Sequence, residues 1–162
     1  MIGIDHEYIA EDAPMGAAPP TQRPDVKTTY CEVMQMGACK VDRSGEEIDL
    51  LNLTVRAHRI PEVPLWLSNM TGMTTQRREA EGISFPEALA QLVDFTDGGG
   101  VPWVFKGDEW VLRGNAKSHG ILFPFEKPFM LVQPLLSWKY NITLADYQKL
   151  GYDEMNSGHL YE

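Results

Sequence analysis

Met1-Ile2-Gly3-Ile4-Asp5-His6-Glu7-Tyr8-Ile9 opens the chain, and the reading of this stretch decides the fold. An apolar run ends in Asp-x-Glu. On a strand, alternation puts Asp5 and Glu7 on one face, ~7 Å apart along the chain, and turns His6 to the other. Two carboxylates at the end of a buried strand suit a hard divalent cation such as Mg²⁺ or Mn²⁺. An N-terminal edge strand with two solvated acids fits the same letters. Further carboxylates and a base elsewhere in the chain decide between these readings.

The totals bound the answer. A chain of 162 residues matches one domain with one sizeable core, and the whole length is expected to form a single domain. Hydrophobic content of 43% and charged content of 23% are those of a soluble globular protein. No apolar run reaches the length of a membrane span, and no membrane partner is expected. The N-terminus lacks the basic region and long apolar core of a signal peptide. Cys31 and Cys39 have no metal-finger spacing. A reducing, cytoplasmic setting is expected. The net charge of −9 argues against a broad basic nucleic-acid surface. It leaves room for a local site whose acids are neutralised by bound metal.

Outward from the first strand, residues 10–29 carry Pro14, Pro19, Pro20 and Pro24 and read as a long loop, either surface or covering a substrate beside the acids. Tyr30 to Val41 read as a strand, with Cys31 and Cys39 at even spacing on one face as small core residues. Asp42 to Glu46 turn the chain, and Ile48 to Ala57 alternate as the hairpin partner. Leu65 to Met70 read as a short helix ending near Gly72. Ser84-Phe85-Pro86-Glu87 is a capping box, and it opens a helix to about Phe95 with Phe85, Ala88, Leu89, Leu92 and Phe95 as its buried stripe. The glycines at 98–100 stop it. No Gly-Lys-Ser/Thr follows them, so they are no phosphate loop. Val101 to Lys106 form a short apolar strand, and Trp110 to Ala116 are helical. Asp108 therefore stands at a strand-to-helix junction, where a parallel sheet places ligand-binding residues. It also suits a helix cap, worth about 1 kcal/mol. Phe129 to Val132 read as a last strand. A further short helix starts at the Thr143-Leu144-Ala145-Asp146 capping box.

The order of strand with Asp-x-Glu, hairpin, helices, strand with Asp, helix and late His resembles the DEDDh (DnaQ-like) 3′–5′ exonucleases of the ribonuclease H-like superfamily. Glu32-Val33-Met34-Gln35-Met36-Gly37-Ala38-Cys39-Lys40-Val41 is similar to that family's second strand, E-I-I-x-I-G-A-V-x-V. Asn69-Met70-Thr71-Gly72-Met73-Thr74 resembles its L-T-G-I-T, and Phe85-Pro86-Glu87-Ala88-Leu89 its F-x-E-V-L. These matches span most of the chain.

The resemblance implies an α/β fold: a mixed sheet of about five strands, an antiparallel meander followed by parallel strands, with helices on both faces. It gives Asp5 and Glu7 the first acidic motif and Asp108 the second, with Leu112 at the apolar position after it. Gly107 replaces the usual aromatic, which makes Glu109 a second candidate. It gives His159 the role of catalytic base. The family's last aspartate lies beyond that histidine, whereas this chain stops at Glu162. The expectation is a domain lacking its last helix, with three acids to hold Mg²⁺ or Mn²⁺.

The chemistry explains the residue types. Two metals ~4 Å apart activate a water and neutralise the developing charge, and they need several carboxylates. A histidine titrating near neutrality takes the proton of the attacking water. The implied activity is metal-dependent 3′–5′ exonuclease action on single-stranded DNA or RNA 3′ ends, releasing nucleoside monophosphates. Tyr8 and Trp110 are candidates to stack the terminal bases, and core packing explains either as well. His6 reads as packed, and His58 and His119 as surface or loop residues. A catalytically impaired relative that binds nucleic acid or a protein is the alternative, favoured by the missing fourth acid.

Overall fold

The computed structural model describes residues 1–17, 29–96, 102–104 and 107–131. Its elements, in chain order, are β1 (Ile2–Ala10), β2 (Cys31–Val41), β3 (Glu47–Thr54), α1 (Leu65–Thr71), α2 (Thr75–Glu81), α3 (Phe85–Phe95), β4 (Trp103–Val104), α4 (Asp108–Ser118) and β5 (Met130–Leu131). The strands form one five-stranded sheet in the order β3-β2-β1-β4-β5. β1, β2 and β3 make the antiparallel meander. β4 runs parallel to β1, and β5 parallel to β4. The mixed α/β architecture expected from the sequence is the one observed.

The first strand is central, and its apolar residues are buried on both faces. Ile4 joins Val33, Met36 and Val104 against the apolar stripes of α3 (Phe85, Ala88, Leu89, Leu92) and α4 (Val111, Leu112, Ala116). Ile9 and Met34, on the other face, pack with Val63, Leu67 of α1 and Met73. Burying each large apolar side chain stabilises by about 1.5–3 kcal/mol. α3 starts as expected: the Ser84 hydroxyl accepts from the Glu87 amide at 3.3 Å, and Pro86 sits in the first turn. α1 ends at Gly72, whose φ of 71° is the left-handed conformation that glycine adopts without a Cβ clash.

One expectation about β2 fails. Glu7 pairs with Gln35, but Tyr8 pairs with Val33, so Met34 is an extra residue in the ladder. This bulge reverses the alternation below it. Cys31 faces the α3–α4 core, and its thiol is pushed up to about 12 by burial and the nearby Asp12 charge. Cys39 lies on the opposite face with Gln35 and Gly37 and is only half-buried. The cysteines do not share a face.

The helix α2 has no apolar stripe to announce it. Thr74 caps it, accepting from the Arg77 amide at 3.1 Å, and the residue it buries is Arg78. The Arg78 guanidinium reaches Glu32 at 2.7 Å, with both side chains almost wholly buried. It also donates to the carbonyls of Val55, Ile60 and Val33. Glu32 in turn accepts the amides of His58, Arg59 and Ile60 at 3.0, 2.6 and 3.2 Å. β3 ends at Thr54, so β2 has no strand partner on that side at Cys31 and Val33. Asn115 of α4 substitutes: its Oδ1 accepts from the Val33 amide, and its Nδ2 donates to the Cys31 carbonyl. Buried backbone groups are thereby kept paired.

The short helix expected from the Thr143 capping box and the glycine stop at 98–100 lie outside the described residues. Among the described residues, no helix is long and apolar enough to cross a membrane.

Candidate functional site

The alternation of β1 sorts its polar residues as the sequence implied. His6 is buried with Ile4 on the inner face, while Asp5 is exposed and Glu7 half-buried on the other. Directly opposed residues of neighbouring antiparallel strands share a face. Asp5 pairs with Gly37 and Gly37 with Asn52, while Glu7 pairs with Gln35 and Gln35 with Thr54. A polar sheet surface thus runs from the two acids across β2 to β3.

The electrostatics of the acid pair point one way. Asp5 opens to solvent on one side, yet the protein crowding its carboxyl raises its pKa, an effect the His6 backbone amide partly offsets. Glu7 is raised by burial and then by the negative charge of Asp5. Among the described residues, no basic side chain forms an ion pair with either acid. Two hard oxygen donors that repel each other and lack a counter-charge fit part of the ligand set of Mg²⁺ or Mn²⁺.

Asp108 occupies a different position relative to β1. It is the first residue of α4, and Gly107 is the N-cap, with a φ of 102° and no side-chain capping bond. Asp108 is therefore not the cap that its place in the sequence allowed. Its carboxylate stands in the first turn, where the helix dipole favours negative charge. It is buried, and its Oδ1 lies 3.7 Å from Nε2 of His6. The His6 ring has no hydrogen bond at either nitrogen among the described residues, and burial lowers its pKa to about 3, so it is neutral. Glu109, the second candidate for this motif, has both oxygens engaged: Oε1 accepts from Arg113 at 2.7 Å and Oε2 from the Phe129 amide at 2.9 Å.

The structure brings Asp5 to Glu7 and His6 to Asp108. Among the described residues, no three acids, histidines or cysteines converge on one point. Tyr8 is half-buried, packed against the α3–α4 core with its ring 6.2 Å from His6. Trp110 is 55% exposed on α4. His119 is the C-cap residue of α4 and lies against the exposed His58, with ring centroids 4.0 Å apart, and against Phe85. His159 lies outside the described residues, as does everything from residue 132 onward.

Sequence reasoning missed the surroundings of the acids. A cavity of about 290 Å³ is lined by Gln35, Asn52, Thr54, Arg77, Glu81 and Ile83. Its floor belongs to the same sheet face as Asp5 and Glu7. Cross-strand register is the signal that locates it, through the Asp5–Gly37–Asn52 and Glu7–Gln35–Thr54 pairings.

No family model matches the chain, and no curated protein matches it. Solved structures do. The nuclease domain of 3′hExo, a DEDDh family member bound to rAMP, matches over 96% of this chain and 80% of its own length, with a TM-score of 0.69 and 16% identity. A 3′-exonuclease in a structure of 3′-end specific recognition of the histone mRNA stem-loop matches at 0.69 and 16%, and the chain spans 55% of it. Exonuclease I of E. coli, in complex with a dT13 oligonucleotide, matches at 0.57 and 12%, with 29% of its length spanned. At such identities the likeness speaks for architecture: this chain has the α/β, ribonuclease H-like fold of the DEDDh exonuclease domains.

Proposed function

We propose that this protein hydrolyses phosphodiester bonds at single-stranded 3′ ends of DNA or RNA, releasing nucleoside monophosphates with the help of Mg²⁺ or Mn²⁺. The observation that carries the reading is the Asp5–Glu7 pair, two carboxylates without a counter-charge among the described residues on the open face of the central strand, in a fold shared with nucleases. Asp5, Glu7 and Asp108 are the residues proposed to hold the cation; Asp108 stands beside His6 in this structure and has to approach the other two, since no three such groups converge among the described residues. Asp108 is preferred to Glu109 because it is buried in the first turn of α4 beside β1, at 3.7 Å from His6, whereas Glu109 bonds Arg113 and the Phe129 amide. A bound divalent cation supplies Lewis acidity and charge neutralisation at the phosphate. The chain's own part is to aim the acids and to exclude the counter-ions that would compete. His6, neutral and buried, fills the space behind Asp108. His159 is proposed to take the proton of the attacking water, and Tyr8 and Trp110 to contact substrate bases.

A second reading is a relative that binds nucleic acid or a protein without turnover. It is favoured by the lack of any three-ligand cluster among the described residues. Hydrolysis of 3′- and 5′-labelled single strands, DNA and RNA in parallel, with Mg²⁺, Mn²⁺ or chelator, separates the two. Metal-dependent release of 3′ mononucleotides, abolished in Asp5→Ala, is the expected outcome. Absence of turnover from the folded protein, or full activity in Asp5→Ala, rejects the exonuclease reading.

A further inference from the structure

The cavity beside the acids has the wrong chemistry for a structural defect. Its floor is two carboxamides and a hydroxyl, those of Gln35, Asn52 and Thr54. None of the three makes a side-chain hydrogen bond among the described residues, which leaves their donors and acceptors available to a ligand. Its wall is Arg77 of α2, whose Nε is held by Glu81 at 2.8 Å, with about half of the Arg77 side chain exposed. Ile83 adds an apolar surface. Between this cavity and Asp5 lies Gly37, which has no side chain to stand on the sheet. Gln35, on the cavity floor, is the direct cross-strand neighbour of Glu7. The far side of the floor, at Thr54, is two strand spacings from Glu7, about 10 Å.

We infer that this cavity is a base-binding subsite for a single strand whose 3′ end lies at Asp5 and Glu7, taking a nucleobase on the 5′ side of the scissile bond. The inference rests on the exonuclease reading above and adds where the strand runs. Carboxamides make paired hydrogen bonds to base edges, and unstacked bases of single strands are read in this way. A guanidinium whose Nε is tied to a carboxylate keeps its plane free to stack on a base. Phosphate is the poorer occupant, because Glu81 already neutralises Arg77 and the adjoining sheet surface carries Asp5 and Glu7. The floor is flat over Gly37, so the strand passes from the acids to the cavity without climbing over a side chain.

The test is binding, measured by fluorescence anisotropy with Mg²⁺ present, of 5′-labelled single-stranded octamers protected by a 3′-terminal phosphorothioate linkage. Adenosine monophosphate, which fills only the terminal site, is measured by competition. Arg77→Ala, Asn52→Ala and Gly37→Leu are each expected to weaken octamer binding about five- to tenfold, the scale of one lost base contact. Binding of the mononucleotide is expected to stay within about twofold. Arg77→Lys, which keeps the charge and loses the plane, should be as weak as Arg77→Ala, and Asn52→Ala should change the ranking of homopolymers. Leu50→Ala, exposed on the same face but outside the cavity, should change nothing. Unchanged octamer binding in all three variants overturns the subsite and leaves the exonuclease reading standing. So does equal loss for octamer and mononucleotide, or full rescue by Arg77→Lys. If the wild-type protein binds no octamer, both readings fall.

Discussion

Replacing Glu32 with alanine should be among the most damaging single changes to this fold. Arg78, 1% exposed, would lose the anionic partner it holds at 2.7 Å. The amides of His58, Arg59 and Ile60 would lose their acceptor as well. Removing one partner of a buried ion pair costs about 3–5 kcal/mol, because the other charge is stranded. The amides are partly exposed, so water replaces some of what they lose. A total of about 4 kcal/mol is expected, against a stability of about 5–15 kcal/mol for an ordinary domain. The assay is urea unfolding followed by tryptophan fluorescence and circular dichroism. Glu32→Leu/Arg78→Met, which removes both charges, should lose at least about 2 kcal/mol less than the sum of its single changes. The pH dependence has a definite sign. Desolvation pushes the Glu32 carboxyl up, but the amides of His58 and Arg59 and the Arg78 guanidinium outweigh it and hold it low. Its stabilisation is therefore complete at neutral pH and is lost as pH falls below the ordinary glutamate range. An alanine variant within about 1 kcal/mol of wild type, or additive single changes, would refute this account.

Two further perturbations test the acid pair and the packing of α2. Asp5→Asn, in the absence of divalent cations, should raise the thermal midpoint by about 2 °C after allowance for solvent screening of the exposed carboxylate. Added Mg²⁺ or Mn²⁺ should then raise the midpoint of the wild type and not that of the variant; a destabilised variant would contradict the repulsion between Asp5 and Glu7. Gly82→Ala should destabilise by about 1–3 kcal/mol in chemical denaturation. A Cβ there would meet the Arg78 carbonyl and lie 2.7 Å from the Arg56 amide, all immovable backbone. The backbone of Gly82, with φ −72° and ψ 135°, suits alanine, so a neutral result would mean that the α2–β3 junction moves freely.

Much of the architecture was legible because its signals are local. Alternation marks β1 and β3, and the Ser84 box with its apolar stripe marks α3. The pairing of Asp5 with Glu7 follows from strand periodicity alone. What stayed hidden depends on distant pairing. The bulge at Met34 obeys no letter in β2; it is known only from β1 moving from Gln35 to Val33. Because of it, the even spacing of Cys31 and Cys39 misleads. α2 buries an arginine instead of an apolar stripe, so its amphipathicity has the opposite sign from the one normally sought. The approach of His6 to Asp108 requires β4 to lie parallel to β1, with Ile4 beside Val104, a contact across a hundred residues.

The acids of the sheet divide its labour. Glu32 receives three backbone amides and an arginine, and its charge stabilises the fold at neutral pH. Asp5 and Glu7, on the neighbouring strand, receive no basic partner among the described residues, and their pKa values move the other way. For them the sign of the linkage reverses: the fold is most stable with the carboxyls protonated and loses stability as pH rises through their raised pKa values. A sequence selected for stability alone would place an arginine beside them, as it does beside Glu32. Holding them adjacent and without a basic partner among the described residues costs stability wherever both are charged, and a divalent cation would offset that cost. The asymmetry between Glu32 and the β1 pair supports the proposed cation site without the resemblance to nucleases, and a third ligand has to come from beyond the pair, since no three such groups converge among the described residues.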